Sequence, residues 1–282
     1  MTALIDIAYL IALLAVSPMA IYRMLRHGRY RAGWANRFGK ISRKRPDKKC
    51  IWIHAVSVGE VNATTTLIRE LEAKFPDYEI AISTTTDTGF ARANALFGSR
   101  LSVFYFPMDF SLTMKRAFAN IRPAMCLLIE LEVWPNLVRI AKQSDIPVII
   151  VNGRLSERSL RRYGLIKGVT KKIFGNLTLA LAQSEEYAER FRQLGMPAEL
   201  LWRPLRRSTV FLHQKRYCFL FVIPKNRNRL VLLASKLGPI ELLSADVFGA
   251  ERKTVRKVIE RDARQQEFLR TLFLLTPGVL LS

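Results

Sequence analysis

From Cys50 to Gly195 the chain alternates apolar runs of strand length with stretches of helical periodicity, and few folds accommodate that rhythm. CIWIHAV is followed by a helical pattern through LIRELEAKF, EIAIST by TGFARANALF, LSVFYF by TMKRAFANI, and AMCLLIELE by WPNLVRIAKQ. PVIIVNGR leads to a basic helix around LRRYGLIKGVTKKIF, and LTLALAQ to EEYAERFRQLG. Strands with helices between them predict an α/β fold with a parallel sheet covered on both faces. Ligands of such sheets bind beyond the carboxyl ends of the strands. The polar residues at those ends are therefore the candidates: Ser57, Gly59 and Glu60 after the first strand, and Thr84 to Gly89 after the second. Glu130 and Glu132 follow the fourth, Asn152 and Arg154 the fifth, Gln183 and Ser184 the sixth.

Ahead of this unit, Met1 to Tyr22 holds one charged side chain, Asp6, and LIALLAVSPMAIY is apolar enough to enter a bilayer as a short helix bent at Pro18. Cations then follow closely: Arg23, Arg26, Arg29, Arg31, Arg37, Lys40, Arg43, Lys44, Arg45, Lys48 and Lys49. That order holds the downstream chain on the cytoplasmic side and favours anionic headgroups, whereas a cleaved signal peptide puts its cations first. Residues 1–27 are thus expected to be a membrane-anchoring segment, spanning or interfacial; a buried core helix is the alternative. With 45 Lys plus Arg against 23 Asp plus Glu, the formal charge of +22 favours an anionic partner without choosing among nucleic acid, acidic lipid and phosphorylated substrate. Cys50, Cys126 and Cys218 are odd in number and far apart, which suggests a reducing compartment and no zinc site. His27, His54 and His213 lack metal-ligand spacing and are expected to be structural.

SVGE has the spacing of a capping box, in which Ser57 accepts from the Glu60 N–H and the Glu60 carboxylate reaches back to the Ser57 N–H. A carboxylate there also suits the positive helix end, so Glu60 is a cap or a catalyst. Gly59 in the first helical turn carries a propensity cost of about 1 kcal/mol, which suggests that a ligand approaches the backbone there. No GK[ST] ending or GxGxxG follows, so a nucleotide-phosphate cradle is a weak reading. In STTTDTG, one hydroxyl is expected to N-cap a helix. Pro135 suits a first helical turn, and Asn136 beside it is polar surface or a ligand contact. Glu130 and Glu132 lie at a strand ending where period two places both on the same face; two carboxylates invite a metal, but no His or Asp is spaced to complete a set. They are also suited to acid/base work beside Glu60. Arg154, Arg158, Arg161 and Arg162 form a basic helix start suited to phosphate or carboxylate.

Taken together, IWIHAVSVGE, STTTDTG, FPMD, LIELEVWPN, VNGRLSERS and LAQSEEYAERFRQLG resemble the 3-deoxy-D-manno-octulosonic acid (Kdo) transferases of lipopolysaccharide synthesis, and GRYRAGWANRFGK resembles their membrane-proximal segment. The resemblance implies a GT-B glycosyltransferase with a Rossmann-like N-terminal domain that receives lipid A precursor and a C-terminal domain that holds CMP-Kdo. It implies no metal or cofactor, Glu60 as general base and Glu130 as transition-state stabiliser. Ser57, Gly59, Asn136 and Arg154 are the expected substrate contacts, and the cytoplasmic face of an anionic inner membrane is the expected location.

The resemblance covers roughly the first seven tenths of the chain, with residues 28–198 as the acceptor-binding domain. LLWRPLRRSTV stands where the family carries a G-S-x-K-[FY]-D stretch, and the donor domain that follows it there is not recognisable. Residues 199–282 are accordingly expected to be a divergent or truncated segment. A noncatalytic, membrane-associated module that binds lipid A or anionic lipid is the competing reading. Nucleic acid is the weaker one, because aromatic residues do not interleave with the basic run.

Overall fold

The computed structural model describes residues 2–27, 32–202, 219–226 and 229–235. Helix α1 (Thr2–His27) and the single turn α2 (Trp34–Arg37) precede the α/β unit. That unit runs β1 (Lys49–His54), α3 (Val58–Lys74), β2 (Tyr78–Thr84), α4 (Asp87–Phe97), β3 (Ser102–Tyr105), α5 (Ser111–Ile121), β4 (Pro123–Ile129) and α6 (Pro135–Gln143). It continues through β5 (Val148–Gly153), α7 (Glu157–Gly164), α8 (Lys167–Phe174), β6 (Leu179–Ala182), α9 (Glu185–Gln193) and the short β7 (Leu201–Trp202).

All seven strands pair in parallel, in the order β3-β2-β1-β4-β5-β6-β7. The winding therefore reverses between β1 and β4, which opens the crevice of a doubly wound sheet at their carboxyl ends. The six sequence-expected strands and the parallel α/β class are those observed. β1 reads as a continuous apolar run because both of its faces are covered. Trp52 lies among Phe104, Phe106 and Phe118 at centroid distances of 6.0, 6.0 and 5.6 Å, and its indole N–H donates to Ser83 Oγ at 2.8 Å.

Three local expectations are corrected. The basic stretch around LRRYGLIKGVTKKIF is two helices, because α7 ends at Gly164 and Leu165 and Ile166 form the turn before α8. β4 stops at Ile129, and Glu130 turns into the left-handed region with φ 60°, so period two does not relate Glu130 to Glu132. Arg37 and Arg43 leave the solvated basic run. Arg37 is buried against the Tyr105 ring and donates to the Thr85 carbonyl, while Arg43 pairs with buried Glu79. β7 and the antiparallel hairpin β8 (Phe219–Asn226) and β9 (Arg229–Ser235) lie in the region whose elements the sequence pattern left open. The rest of 203–282, including Cys218 and His213, lies outside the described residues, as does His27 beyond its backbone.

Pro18 sits inside α1 without ending it. A proline there leaves the carbonyl four residues back without a donor, and the Ser17 hydroxyl supplies one, donating to Leu14 O at 2.9 Å. The one acidic side chain of this helix is its dock. Asp6 accepts from the Ser111 N–H at 3.0 Å and from the Ser111 hydroxyl, capping α5, whose own N-cap residue Phe110 cannot. Burial raises the Asp6 carboxyl, but these donors, Asn136 and the Arg139 charge outweigh it and hold it below the usual range. Tyr9 donates to Asp109 Oδ2 at 3.0 Å and meets Phe110 edge-on.

Candidate active site

Glu60 begins the chemistry at the end of central strand β1. Its Oε2 accepts from the Val56 N–H at 2.8 Å, its Oε1 from the Ser57 hydroxyl at 2.8 Å, and its own N–H donates to Ser57 Oγ at 3.3 Å. The reciprocal cap therefore closes on Val56, one residue earlier than the expected Ser57 N–H. Both carboxylate oxygens are occupied, but Glu60 is only half-buried and Gly59 beside it is exposed.

The second loop braces the first. Thr86 N-caps α4 through the Gly89 N–H at 3.0 Å and donates its hydroxyl to Val56 O at 2.9 Å, so STTTDTG carries the expected cap. A Cβ on Gly89 would stand 2.7 Å from Val56 O, whereas one on Gly59 would meet only Ser57 Oγ at 3.9 Å. The two glycines thus answer to different demands, one to the fold and one to open space. Gly89→Ala is expected to lower stability by about 1–3 kcal/mol through overpacking. Gly59→Ala is expected to melt no lower than the parent, because alanine is the better helix former by up to about 1 kcal/mol, and to lose at least about tenfold in turnover if a substrate uses that space. Thermal melts beside rate measurements check both.

Across the crevice, Glu130 and Glu132 follow β4. Burial raises the Glu130 carboxyl, the Glu60 charge adds to this, and Arg154 opposes it. Glu132 is pushed up to about 7 by burial, with Glu60 and Glu130 adding and the Trp134 side chain opposing. Three carboxylates from two loops and the exposed Arg154 thus share one field at the switch point of the sheet. Among the described residues, no group of three or more His, Cys, Asp or Glu side chains is placed to hold a metal ion.

Asn136 does not join them. It is fully buried: its N–H donates to Asp109 Oδ2 at 2.9 Å, its amide donates to Asp6 and to the Asp109 carbonyl, and its Oδ1 accepts from Arg139. With the Leu137 N–H donating to Asp109 Oδ1 at 2.9 Å, Asp109 caps α6 from outside, because the N-cap residue Trp134 has no acceptor to offer. FPMD is thereby explained at both ends: Asp109 holds α6, and Phe106 stacks on the buried His54 at 3.9 Å. Asn152, at φ 61°, accepts from Gln183 at 2.8 Å, and Ser156 and Ser184 N-cap α7 and α9.

The family model for 3-deoxy-D-manno-octulosonic-acid transferase (kdotransferase) matches residues 32–203, more than half of the chain. The chain belongs to this family. A Kdo transferase from Haemophilus influenzae is 38% identical over 174 residues, which are 61% of this chain and 41% of that protein. One from Bordetella pertussis is 33% identical over 203 residues, covering 67% and 47%, and one from Chlamydia muridarum is 29% identical over 201 residues, covering 70% and 46%. The chain thus spans less than half the length of these relatives. The matched region contains Glu60, Glu130, Glu132 and Arg154 but not α1.

Proposed function

We propose that the chain transfers Kdo from CMP-Kdo to a lipid A precursor at the cytoplasmic face of an anionic inner membrane, as part of a GT-B arrangement. What carries this reading is the Glu60 carboxylate, half-exposed at the carboxyl end of the central strand and facing Glu130 across the crevice. An acceptor hydroxyl that displaces the Ser57 hydroxyl from Oε1 gives its proton to Glu60 as its oxygen attacks the anomeric carbon. The bond from that carbon to the phosphate of CMP breaks, and CMP leaves with the electron pair. Glu130 faces the positive charge that develops at the sugar, and Arg154 suits an acceptor phosphate or the sugar carboxylate.

The surface supports the membrane part of the reading. Leu10, Ile11, Leu13, Leu14, Val16 and Met19 of α1 are exposed, although among the described residues no helix is long and apolar enough to cross a membrane, which favours an interfacial seat. Leu165 and Ile166, 85% and 55% exposed, stand at the α7–α8 turn between Arg161, Arg162 and Lys167, a second apolar tip with a cationic collar. Incubating the full chain with CMP-Kdo and lipid A precursor in anionic vesicles should release CMP well above a Glu60→Ala control. Lipid binding with no CMP release would leave the noncatalytic module in its place.

A further inference from the structure

We propose that Glu132, seated against the buried imidazole of His54, meets the anionic donor as a neutral carboxylic acid whose O–H is held by that imidazole, so that the donor faces one negative charge fewer in the cleft. The role of this residue rests on the transferase reading above, but the state of its proton does not. His54 is 1% exposed at the end of β1. Its Nδ1 lies 3.0 Å from Ser83 Oγ and 3.2 Å from Ser83 O. Ser83 O only accepts, and Ser83 Oγ already accepts from Trp52 at 2.8 Å, with Ile53 O at 3.5 Å for its own hydrogen. Every donor in this chain finds an acceptor when Nδ1 carries the imidazole hydrogen.

Nε2 is then a bare lone pair. It is buried, has no hydrogen-bond partner among the described residues, and lies 4.0 Å from Glu132 Oε2. A lone pair facing a carboxylate oxygen gains nothing; facing a carboxyl O–H it acquires its missing donor after a shift of about 1 Å. This orphaned atom, independent of the acidic cluster, is what assigns the proton to Glu132.

The surroundings agree. Among the described residues, the titratable groups facing Glu132 are His54 on β1, Glu60 on α3, Glu130 in the turn after β4 and Tyr163 on α7, and the Trp134 side chain opposes the rise by favouring the ionised form. None is a cation, because burial holds His54 down at about 3. A donor that carries both a phosphate and a sugar carboxylate would be repelled by three ionised glutamates. With Glu132 neutral and its O–H given to His54 Nε2, the cleft carries one negative charge fewer.

Carboxyl carbon-13 spectra of the full chain, labelled at glutamate, should show one resonance that titrates near pH 7 and vanishes in Glu132→Gln. Imidazole nitrogen-15 shifts should show His54 Nε2 without a hydrogen at pH 6. The dissociation constant for CMP-Kdo should rise up to about tenfold per pH unit above 7 in the parent and stay flat in Glu132→Gln, whose amide keeps the donor and the shape. A purely structural glutamate would change the melting temperature and leave that slope in place. A carboxyl that titrates in the ordinary range, a hydrogen on Nε2, or an unchanged slope in the variant overturns the proposal. The spectra and the donor binding need no turnover, so a chain that passes them yet releases no CMP overturns the transferase reading and leaves this one standing.

Discussion

Glu60→Gln should slow CMP release by about two to four orders of magnitude, the range expected for removing a general base, while the protein melts within a few degrees of the parent. The amide is chosen because it can keep the cap: its oxygen accepts from Val56 N–H, and its NH2 donates to Ser57 Oγ where the carboxylate accepted from it. What it loses structurally is a negative charge at the start of α3, about 0.3–1 kcal/mol. Glu60→Ala removes the base and the reciprocal cap together, so it should be as slow but less stable by about 1 kcal/mol more. A Glu60→Gln protein within threefold of the parent rate would leave Glu60 as a cap only. The duality visible in SVGE is thus separable, since one substitution removes the proton acceptor and leaves the helix start in place.

The strands were legible because each is buried on both faces and bounded by turn residues, as CIWIHAV and PVIIVNGR show. The switch point followed from strand order, which alternation alone does not specify: only the pairing of β1 with both β2 and β4 sets Glu60 opposite Glu130. Glu130 itself misled, because its φ of 60° breaks a period that the residue types suggest should continue. Asn136 misled for a different reason. A polar residue beside a helix start suggests solvent or ligand, but its partners, Asp6 and Asp109, lie 130 and 27 residues away in sequence. The caps of α5 and α6 were hidden in the same way, since Phe110 and Trp134 carry no capping atom and the acids come from elsewhere. His54 read as structural because one histidine in an apolar strand gives no spacing signal; its significance lies in a vacant lone pair beside Glu132.

Arg43 is expected to be the costliest basic residue to lose, though by sequence it belongs to a run of surface cations. Its side chain and that of Glu79 are each 2% exposed, paired through Nε and Oε2 at 2.8 Å. The guanidinium also donates to the carbonyls of Ile121 at 3.0 Å and Arg45 at 2.9 Å, and to Lys48 O. Glu79 in turn accepts from the Lys44 N–H at 3.1 Å and from Ser102 at 2.6 Å. The pair therefore ties the segment before β1 to β2, β3 and the end of α5. Arg43→Met keeps the apolar stem and strands a buried carboxylate, which costs about 3–5 kcal/mol. For a unit of this size that is a fall of roughly 6–20 °C in melting temperature. Adding Glu79→Gln removes the stranded charge and still accepts from Lys44 and Ser102, so the double variant should recover about 2 kcal/mol. It should not recover everything, because all three carbonyls lose the guanidinium donor, although Arg45 O still accepts from the Lys48 N–H. Full recovery would mean that charge alone mattered, and no recovery that the carbonyl bonds carried the whole effect. A single variant within about 0.5 kcal/mol of the parent, the scale of an exposed pair, would place Arg43 back among the solvated cations of the basic run.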